Sequence, residues 1–321
     1  MIEIKDLNIV YKNKNKIVRA VTDANLSLKE NESVGIVGES GSGKSTLAHA
    51  ILQILPEGTR VDGNIFYRGV DLLKLSPKEF KEYRWQKIAM VFQASMDFLS
   101  PVHKIGVQLT SILNNFGSYK KAEAKKIIVD ALKMVNLPDY IYDKYPHELS
   151  GGMMQRVAIA TAFLLKPELV IMDEATTALD IVTERQIMDE ILELEAQTSI
   201  TRLMITHDVS LVASSVKRVV VMYGGRIVEV GDVMDVFTKP FHPYTELLLN
   251  SYPDMYKYKE KLVSIPGTIV DLSVEHKGCI FKDRCPYRSD ICENETPRTE
   301  VFGDRQVACF NKRNFEWTYL K

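Results

Sequence analysis

Eight consecutive residues, Gly38, Glu39, Ser40, Gly41, Ser42, Gly43, Lys44 and Ser45, satisfy the pattern G-x-x-x-x-G-K-[ST], and Thr46 follows them. Glycines at these places let backbone N–H groups curl around phosphate oxygens, and a helix that starts at the lysine adds positive potential. In such a loop Lys44 pairs with the β- and γ-phosphates of a nucleoside triphosphate, and the Ser45 hydroxyl completes a Mg²⁺ shell. A flexible turn with an incidental lysine would need no ligand, but the flanks here read as strand and helix, as the mechanism requires. Further along, the apolar run Leu169, Val170, Ile171, Met172 ends in Asp173 and Glu174. That is the carboxyl edge of a strand, where ligands bind in open α/β sheets. Asp173 is placed to hold Mg²⁺ through water, and Glu174 to orient or deprotonate an attacking water. Taken alone, two such acids serve equally well as the opening of a helix.

These residues need a scaffold, and the apolar pattern supplies one. Alternation through Ile2, Ile4, Leu7 and Ile9, then Val18, Val21, Leu26 and Leu28, predicts short strands of a half-exposed sheet. Residues 33–38 predict a buried strand, 44–55 a helix, and 61–67 and 87–93 further strands, followed by a helical block over 102–149. The β/α alternation then resumes with a helix at 152–165, a strand at 169–172, a helix at 183–197 and a strand at 202–206. That order implies a mostly parallel sheet. Strands at 218–222 and 226–230 flank Gly224-Gly225 as a final hairpin. Beyond Asp232 the character changes, because six of the twelve prolines and all four cysteines lie there. A length of 321 residues exceeds the usual size of one core, so a large unit over 1–235 and a smaller one over 236–321 are expected.

Bulk composition narrows the classes. With 45% hydrophobic and 26% charged residues the chain is an ordinary globular protein rather than a disordered or fibrous one. The formal net charge is -1, and the basic groups at Lys12, Lys14, Lys16 and at Lys120, Lys121, Lys125, Lys126 are interrupted and balanced by acids, so no nucleic-acid footprint is present. No apolar run reaches the roughly 18 residues that span a bilayer; the nearest, over 157–172, is broken by Lys166, Pro167 and Glu168. The opening residues lack the basic-then-apolar plan of a secretory signal, which predicts a cytosolic location. In a reducing compartment Cys279, Cys285, Cys292 and Cys309 read better as a metal site than as disulfides.

One more segment decides between kinds of triphosphatase. Leu149-Ser150-Gly151-Gly152-Met153-Met154-Gln155-Arg156 resembles the ABC signature, and residues 1–235 resemble an ABC transporter ATPase, with the P-loop NTPase α/β fold, an antiparallel β subdomain and an inserted helical subdomain at about 94–155. Gln93 matches the Q-loop of that family, Ala178-Leu179-Asp180 the D-loop, His207 the switch histidine, and Tyr11 the aromatic that stacks on adenine. The resemblance implies that Ser150, Gly151 and Gly152 face the ATP of a second ATPase subunit, so that dimerisation is part of the site. It further implies that Gln93 links the Mg²⁺ and γ-phosphate region to the surface gripping a membrane subunit. Each position also has a plainer reading: Ser150 as an N-cap, His207 as a structural histidine, Gln93 as a polar strand end, Tyr11 as a sheet-surface tyrosine. Met153 and Met154 in the signature, Ala175 after Glu174, and the Ala94-Ser95-Met96-Asp97 continuation of the Q-loop depart from the family pattern without removing a reacting group.

The tail narrows the branch. Phe241-His242-Pro243-Tyr244-Thr245, then Cys279-x5-Cys285-x6-Cys292-x16-Cys309 with Phe281, Arg284 and Pro297 interspersed, resembles the small irregular C-terminal extension of oligopeptide and dipeptide importer ATPases, which nickel and oligosaccharide importers share. In that branch the four thiolates hold a [4Fe-4S] cluster; zinc, or no metal, are the rival readings. The resemblance implies an ATP- and Mg²⁺-dependent importer ATPase. It would work with a different ATPase subunit as a heterodimer, two transmembrane permease subunits and an external solute-binding protein, at the cytoplasmic face of the cell membrane. A soluble ABC ATPase acting on ribosomes or DNA, and a nucleotide-gated subunit that does not hydrolyse, are the alternatives.

Overall fold

A computed structural model describes residues 1–13, 16–92, 98–176, 179–251 and 265–312. The chain divides into two compact units, one of Met1–Lys29, Ser33–Lys74 and Met204–Lys321, the other of Glu30–Glu32 and Leu75–Leu203. The first unit opens with β1 (Ile2–Asn13), β2 (Lys16–Leu28), β3 (Ser33–Val37), α1 (Lys44–Ile51), β4 (Arg60–Tyr67) and β5 (Val70–Asp71). The second holds α2 (Pro77–Phe80), β6 (Ile88–Val91), α3 (Ile105–Asn114), α4 (Lys121–Met134), α5 (Gly151–Phe163), β7 (Leu169–Asp173) and α6 (Ile181–Gln197). Strand β8 (Thr201–Ile205) carries the chain back to the first unit. There α7 (Val209–Ser215), β9 (Arg218–Tyr223), β10 (Arg226–Asp232), α8 (Val233–Thr238), α9 (Pro243–Asn250), α10 (Ile291–Asn294), β11 (Glu300–Phe302) and β12 (Arg305–Val307) follow.

Two sheets shape the first unit. One is antiparallel, in the order β2-β1-β4-β5, and buries Ile2, Ile4, Leu7 and Ile9 on one face. The alternation of apolar residues slips between Ile4 and Leu7 because Asp6 takes a left-handed φ of 48°, and the pairing with β2 shifts register there. The other sheet is mixed and runs β11-β12-β10-β9-β3 within this unit. Strand β3 lies parallel to β9 with Val34 opposite Arg218 and Gly35 opposite Val219. Both strands are buried along nearly their whole length, which is why they read as continuous apolar runs rather than alternating ones. Gly35 lets α7 lie against β3, since a methyl group there would meet Val212 Cγ1 at 2.9 Å.

In the second unit β6 and β7 pair in parallel, Ile88 opposite Leu169. Helix α5 buries every residue from Val157 to Phe163, so it is apolar all round. Helices α3 and α4 instead show one apolar stripe each, through Leu109 and Leu113 and through Ile128 and Leu132. They form the helical block that the spacing over 102–149 predicts.

The C-terminal extension packs within the first unit and adds two strands to its mixed sheet. Glu229 of β10 lies opposite Val307 of β12. Its carboxylate, fully buried, accepts the Phe241 and His242 N–H groups at 2.7 and 3.0 Å and pairs with the Arg305 guanidinium at 2.5 Å. Arg305 also stacks 3.7 Å from the Phe241 ring centroid. Burial pushes the Glu229 carboxyl up from its ordinary range, against these donors. His242 caps α9 through Nδ1, which accepts the Tyr244 N–H at 3.0 Å, and burial lowers its pKa from 6.5 to about 3.

Two measurements follow from this buried network. Arg305→Ala removes the cation that pairs with the buried Glu229 carboxylate, leaving it the Phe241 and His242 N–H donors, and is expected to cost about 3–5 kcal/mol in urea unfolding, whereas Arg60→Ala, in an exposed pair with Asp62, is expected to cost less than about 1 kcal/mol. His242 stays neutral when folded and takes a proton below about pH 6.5 when unfolded. Stability therefore falls with decreasing pH between about 6.5 and 3, by about 1.4 kcal/mol per pH unit from this group alone, and His242→Gln is expected to remove that component of the urea pH profile.

Candidate active site

In the first unit the chain leaves β3 at Val37 and enters α1 at Lys44, and the loop between them runs hard against its neighbours. A Cβ at Gly38 would lie 2.1 Å from the Met222 carbonyl oxygen, and one at Gly43 2.4 Å from that of Ala20; both residues have positive φ, 150° and 98°. No side chain fits at either place, which is the physical content of the first and last glycines of the pattern. Lys44 is buried, and its ammonium donates to the carbonyls of Gly38 at 2.8 Å and Glu39 at 2.9 Å. Ser40 and Gly41 are exposed at the tip of the loop, Ser42 is buried, and Ser45 and Thr46 are half-buried on the first turn of α1. The loop is further fixed by the Gly225 N–H, which donates to the Ser42 carbonyl at 3.1 Å.

Tyr11 and His207 lie in the same unit. The Tyr11 hydroxyl donates to Thr46 Oγ1 at 3.0 Å, so its ring is tied to α1. His207 is exposed immediately beyond β8, where the preceding Thr206 N–H bonds the Ile36 carbonyl at 3.3 Å and the following Asp208 caps α7.

The second unit holds Ser150, Gly151, Gly152, Asp173 and Glu174. Ser150 caps α5, its Oγ accepting the Met153 N–H at 3.3 Å. The next glycines start the helix, and a Cβ on Gly152 would meet Thr183 Cγ2 of α6 at 2.8 Å. Asp173 is buried at the end of β7, and Glu174 follows with a left-handed φ of 46°, a conformation a non-glycine residue adopts at some cost. The segment after it is tied down: Gln155 of α5 donates to the Ala175 carbonyl, and Thr176 Oγ1 donates to Glu184 of α6 at 2.6 Å. Arg156 pairs with Glu190 through two bonds of 2.8 and 3.2 Å, joining α5 to α6. Asp180 caps α6, and the Thr183 backbone N–H holds its carboxyl below the usual range. Gln93 and Ala178 lie outside the described residues.

Sequence reasoning missed what surrounds Glu39. Its carboxylate pairs with Arg284 and its N–H donates to the Tyr244 hydroxyl at 2.8 Å. Nothing local signals a partner 245 residues away.

Cys279, Cys285, Cys292 and Cys309 all carry free thiols. Burial raises the thiols of Cys279, Cys285 and Cys309, the last two to about 12, and their charges are felt among the four: Cys309 senses Cys285, Cys279 and Cys292. Among the described residues no group of three or more His, Cys, Asp or Glu side chains is arranged to hold a metal ion. Sulfur donors are soft ligands, and a thiol must lose its proton to bind a metal.

Comparison with known proteins bears on all of this. The family model described as ABC transporter matches residues 21–177, and that described as oligopeptide/dipeptide transporter, C-terminal region, matches residues 228–292. The oligopeptide transport ATP-binding protein OppD of Escherichia coli is 41% identical over 97% of this chain and 93% of its own length. The dipeptide transport ATP-binding protein DppD of the same organism is 38% identical over 96% of each, and a probable peptide ABC transporter ATP-binding protein of Sinorhizobium fredii is 40% identical over 97% and 94%. Among solved structures, the dimeric ATP-binding cassette MJ0796 in a post-hydrolysis state with ADP and phosphate superposes with a TM-score of 0.65 at 29% identity, covering 73% of this chain and 99% of that one. The fold is therefore the ABC ATPase P-loop α/β fold with its mixed sheet and antiparallel β subdomain. By sequence over nearly its whole length and by its C-terminal region, the chain belongs to the ABC transporter ATPases of the oligopeptide/dipeptide importer family.

Proposed function

We propose that this chain binds Mg²⁺·ATP on residues 38–46 and that its hydrolysis drives uptake of di- or oligopeptides through a transporter at the cytoplasmic face of the cell membrane. The observation that carries the reading is the buried Lys44 ammonium at the start of α1, set in a loop whose Gly38 and Gly43 leave room for backbone alone. Such a loop offers its N–H groups, a helix N-terminus and one cation to the same triphosphate. Lys44 binds the β- and γ-phosphates, Ser45 and Asp173 hold Mg²⁺ with Gln93, and Tyr11 contacts the base. Glu174 orients and deprotonates the attacking water, while His207 senses the γ-phosphate. The α5 end at Ser150, Gly151 and Gly152 completes the site of a second, different ATPase subunit, whose own signature completes this one.

Peptide import rests on the relatives, which carry the oligopeptide and dipeptide names over their whole length. Among the described residues no helix is long and apolar enough to cross a membrane, and in this reading two permease subunits supply the path and an external binding protein delivers the solute. The four thiols hold a [4Fe-4S] cluster, which supplies a cross-link that orders a proline-rich tail.

In the transporter assembled with its co-purifying subunits, Glu174→Gln is expected to keep ATP affinity while turnover falls about 10²–10⁴-fold. Turnover equal to wild type would instead mark this site as one that gates without hydrolysing. Anaerobically purified chain is expected to carry about four iron and four sulfide per molecule. Stoichiometric zinc without iron would overturn the cluster assignment.

A further inference from the structure

Glu39 occupies the first variable position of the phosphate loop, and all three of its polar handles are engaged. Its carbonyl accepts the Lys44 ammonium at 2.9 Å, and its N–H donates to the Tyr244 hydroxyl at 2.8 Å. Its carboxylate takes both arms of Arg284, Nη1 to Oε2 at 2.7 Å and Nη2 to Oε1 at 3.0 Å, in the fork geometry that fixes direction as well as distance. Two of these three partners, Arg284 and Tyr244, belong to the C-terminal extension.

Arg284 is itself held from every side. Its side chain is only 5% exposed, Nε donates to the Pro266 carbonyl at 2.7 Å, and Nη1 lies 3.4 Å from the Tyr223 hydroxyl. Tyr223, Tyr244 and Phe281 pack as an aromatic cluster with ring centroids 4.7, 5.0 and 5.4 Å apart. The Glu39 carboxylate beside it raises the guanidinium above its ordinary range. Residues 282–284 form one short turn between Cys279 and Cys285, and the Cys279 N–H bonds the Cys292 carbonyl at 2.8 Å. The same turn therefore carries two of the tail's thiols and the guanidinium that reaches the loop.

We infer that Arg284 is a positioning residue for nucleotide binding: through Glu39, and with Tyr244 as a second anchor, the C-terminal extension holds the phosphate loop in its receptive shape. The inference rests on residues 38–46 being the ATP site. Arg284 does not touch nucleotide; it fixes the backbone from which the loop N–H groups and Lys44 are presented. A loop that grips the triphosphate in ground and transition states alike governs KM more than kcat. An arginine is required because lysine cannot span both carboxylate oxygens.

The test uses the full chain, with ATP affinity read by titration of a fluorescent ATP analogue and KM and kcat read in the assembled transporter. Arg284→Gln is expected to raise KM and Kd about tenfold with kcat changed less than about twofold, and Arg284→Lys to recover only part of the loss. Glu39→Gln is expected to do the same, and the double variant to be no worse than the worse single, because the two act as one pair. Replacing Cys279 and Cys285 by serine is expected to weaken ATP binding in the wild-type background and not further in Arg284→Gln. An unchanged KM in Arg284→Gln, additive losses in the double variant, or a parallel fall of kcat and of the urea midpoint would overturn the inference. Lys44→Ala, run alongside, separates the two questions: if it binds ATP as wild type does, the phosphate-loop reading itself fails, however Arg284 behaves.

Discussion

A backbone can grip phosphate only where it comes close enough for its own N–H groups to do the work, and that closeness governs the first unit. At Gly38 and Gly43 a single methyl group would collide with the Met222 and Ala20 carbonyls. Strand β9 and the first half of β2 must accordingly lie beside the loop, and Gly224 and Gly225, both at positive φ, turn the chain tightly between β9 and β10 to permit it. The Gly225 N–H then bonds the Ser42 carbonyl, so the β9–β10 hairpin is a wall of the loop. Lys44 is buried by the same approach, and its ammonium donates to two loop carbonyls.

The second unit solves a different problem, which is to fix an acid at a strand end. Asp173 is buried where β7 stops, and Glu174 adopts a left-handed φ that a strand or helix would not give it. Such a conformation persists only when its surroundings over-determine it. Here the next residues supply that restraint: Ala175 through its carbonyl to Gln155, and Thr176 through its hydroxyl to Glu184. Because Gln155 sits one turn from Ser150, the helix end that carries the signature and the segment that orients Glu174 form one bonded piece of this unit. The Gly152 contact with Thr183 closes the same triangle from the other side. Met153 and Met154, which depart from the family pattern, do not supply either link.

Much of this was legible in the sequence because the features concerned are local. The phosphate loop needs eight adjacent residues, the β7 terminus six, and the Ser150 cap is complete within four. Parallel strands announce themselves as unbroken apolar runs, and α3 and α4 as stripes, since burial on one face or two writes directly into the pattern. What stayed hidden depends on pairs distant in the chain. Arg284 has no sequence feature tying it to Glu39, and Arg305 none tying it to Glu229 76 residues earlier. Nor did spacing reveal that 300–302 and 305–307 would become strands, for three-residue segments carry too little periodicity to be read. The bulge at Asp6 was visible only as a lapse in alternation, whose cause is a backbone dihedral. Gln93 was singled out by its motif, and it lies outside the described residues.

The buried ion pair at Glu229 bears on why the tail's last thiol stands where it does. Replacing a buried pair by apolar residues is frequently neutral for stability, so its retention is better explained by the register it dictates. With Arg305 held on Glu229, Val307 lies opposite Glu229 and the Ala308 N–H bonds the Val228 carbonyl at 2.9 Å. A slip of two residues would leave an unpaired carboxylate in the core, a cost that a plain apolar strand of three residues could not impose. Cys309 is the next residue, and its position relative to Cys279, Cys285 and Cys292 inherits that register. The three other thiols are spaced by short turns around Phe281, whose ring anchors on Tyr223 and Tyr244. Thus one charge pair on β10 and one aromatic cluster on β9 fix the segments that carry the four cysteines, which span 31 positions of a proline-interrupted chain. The tail is seated on the sheet that also walls the phosphate loop.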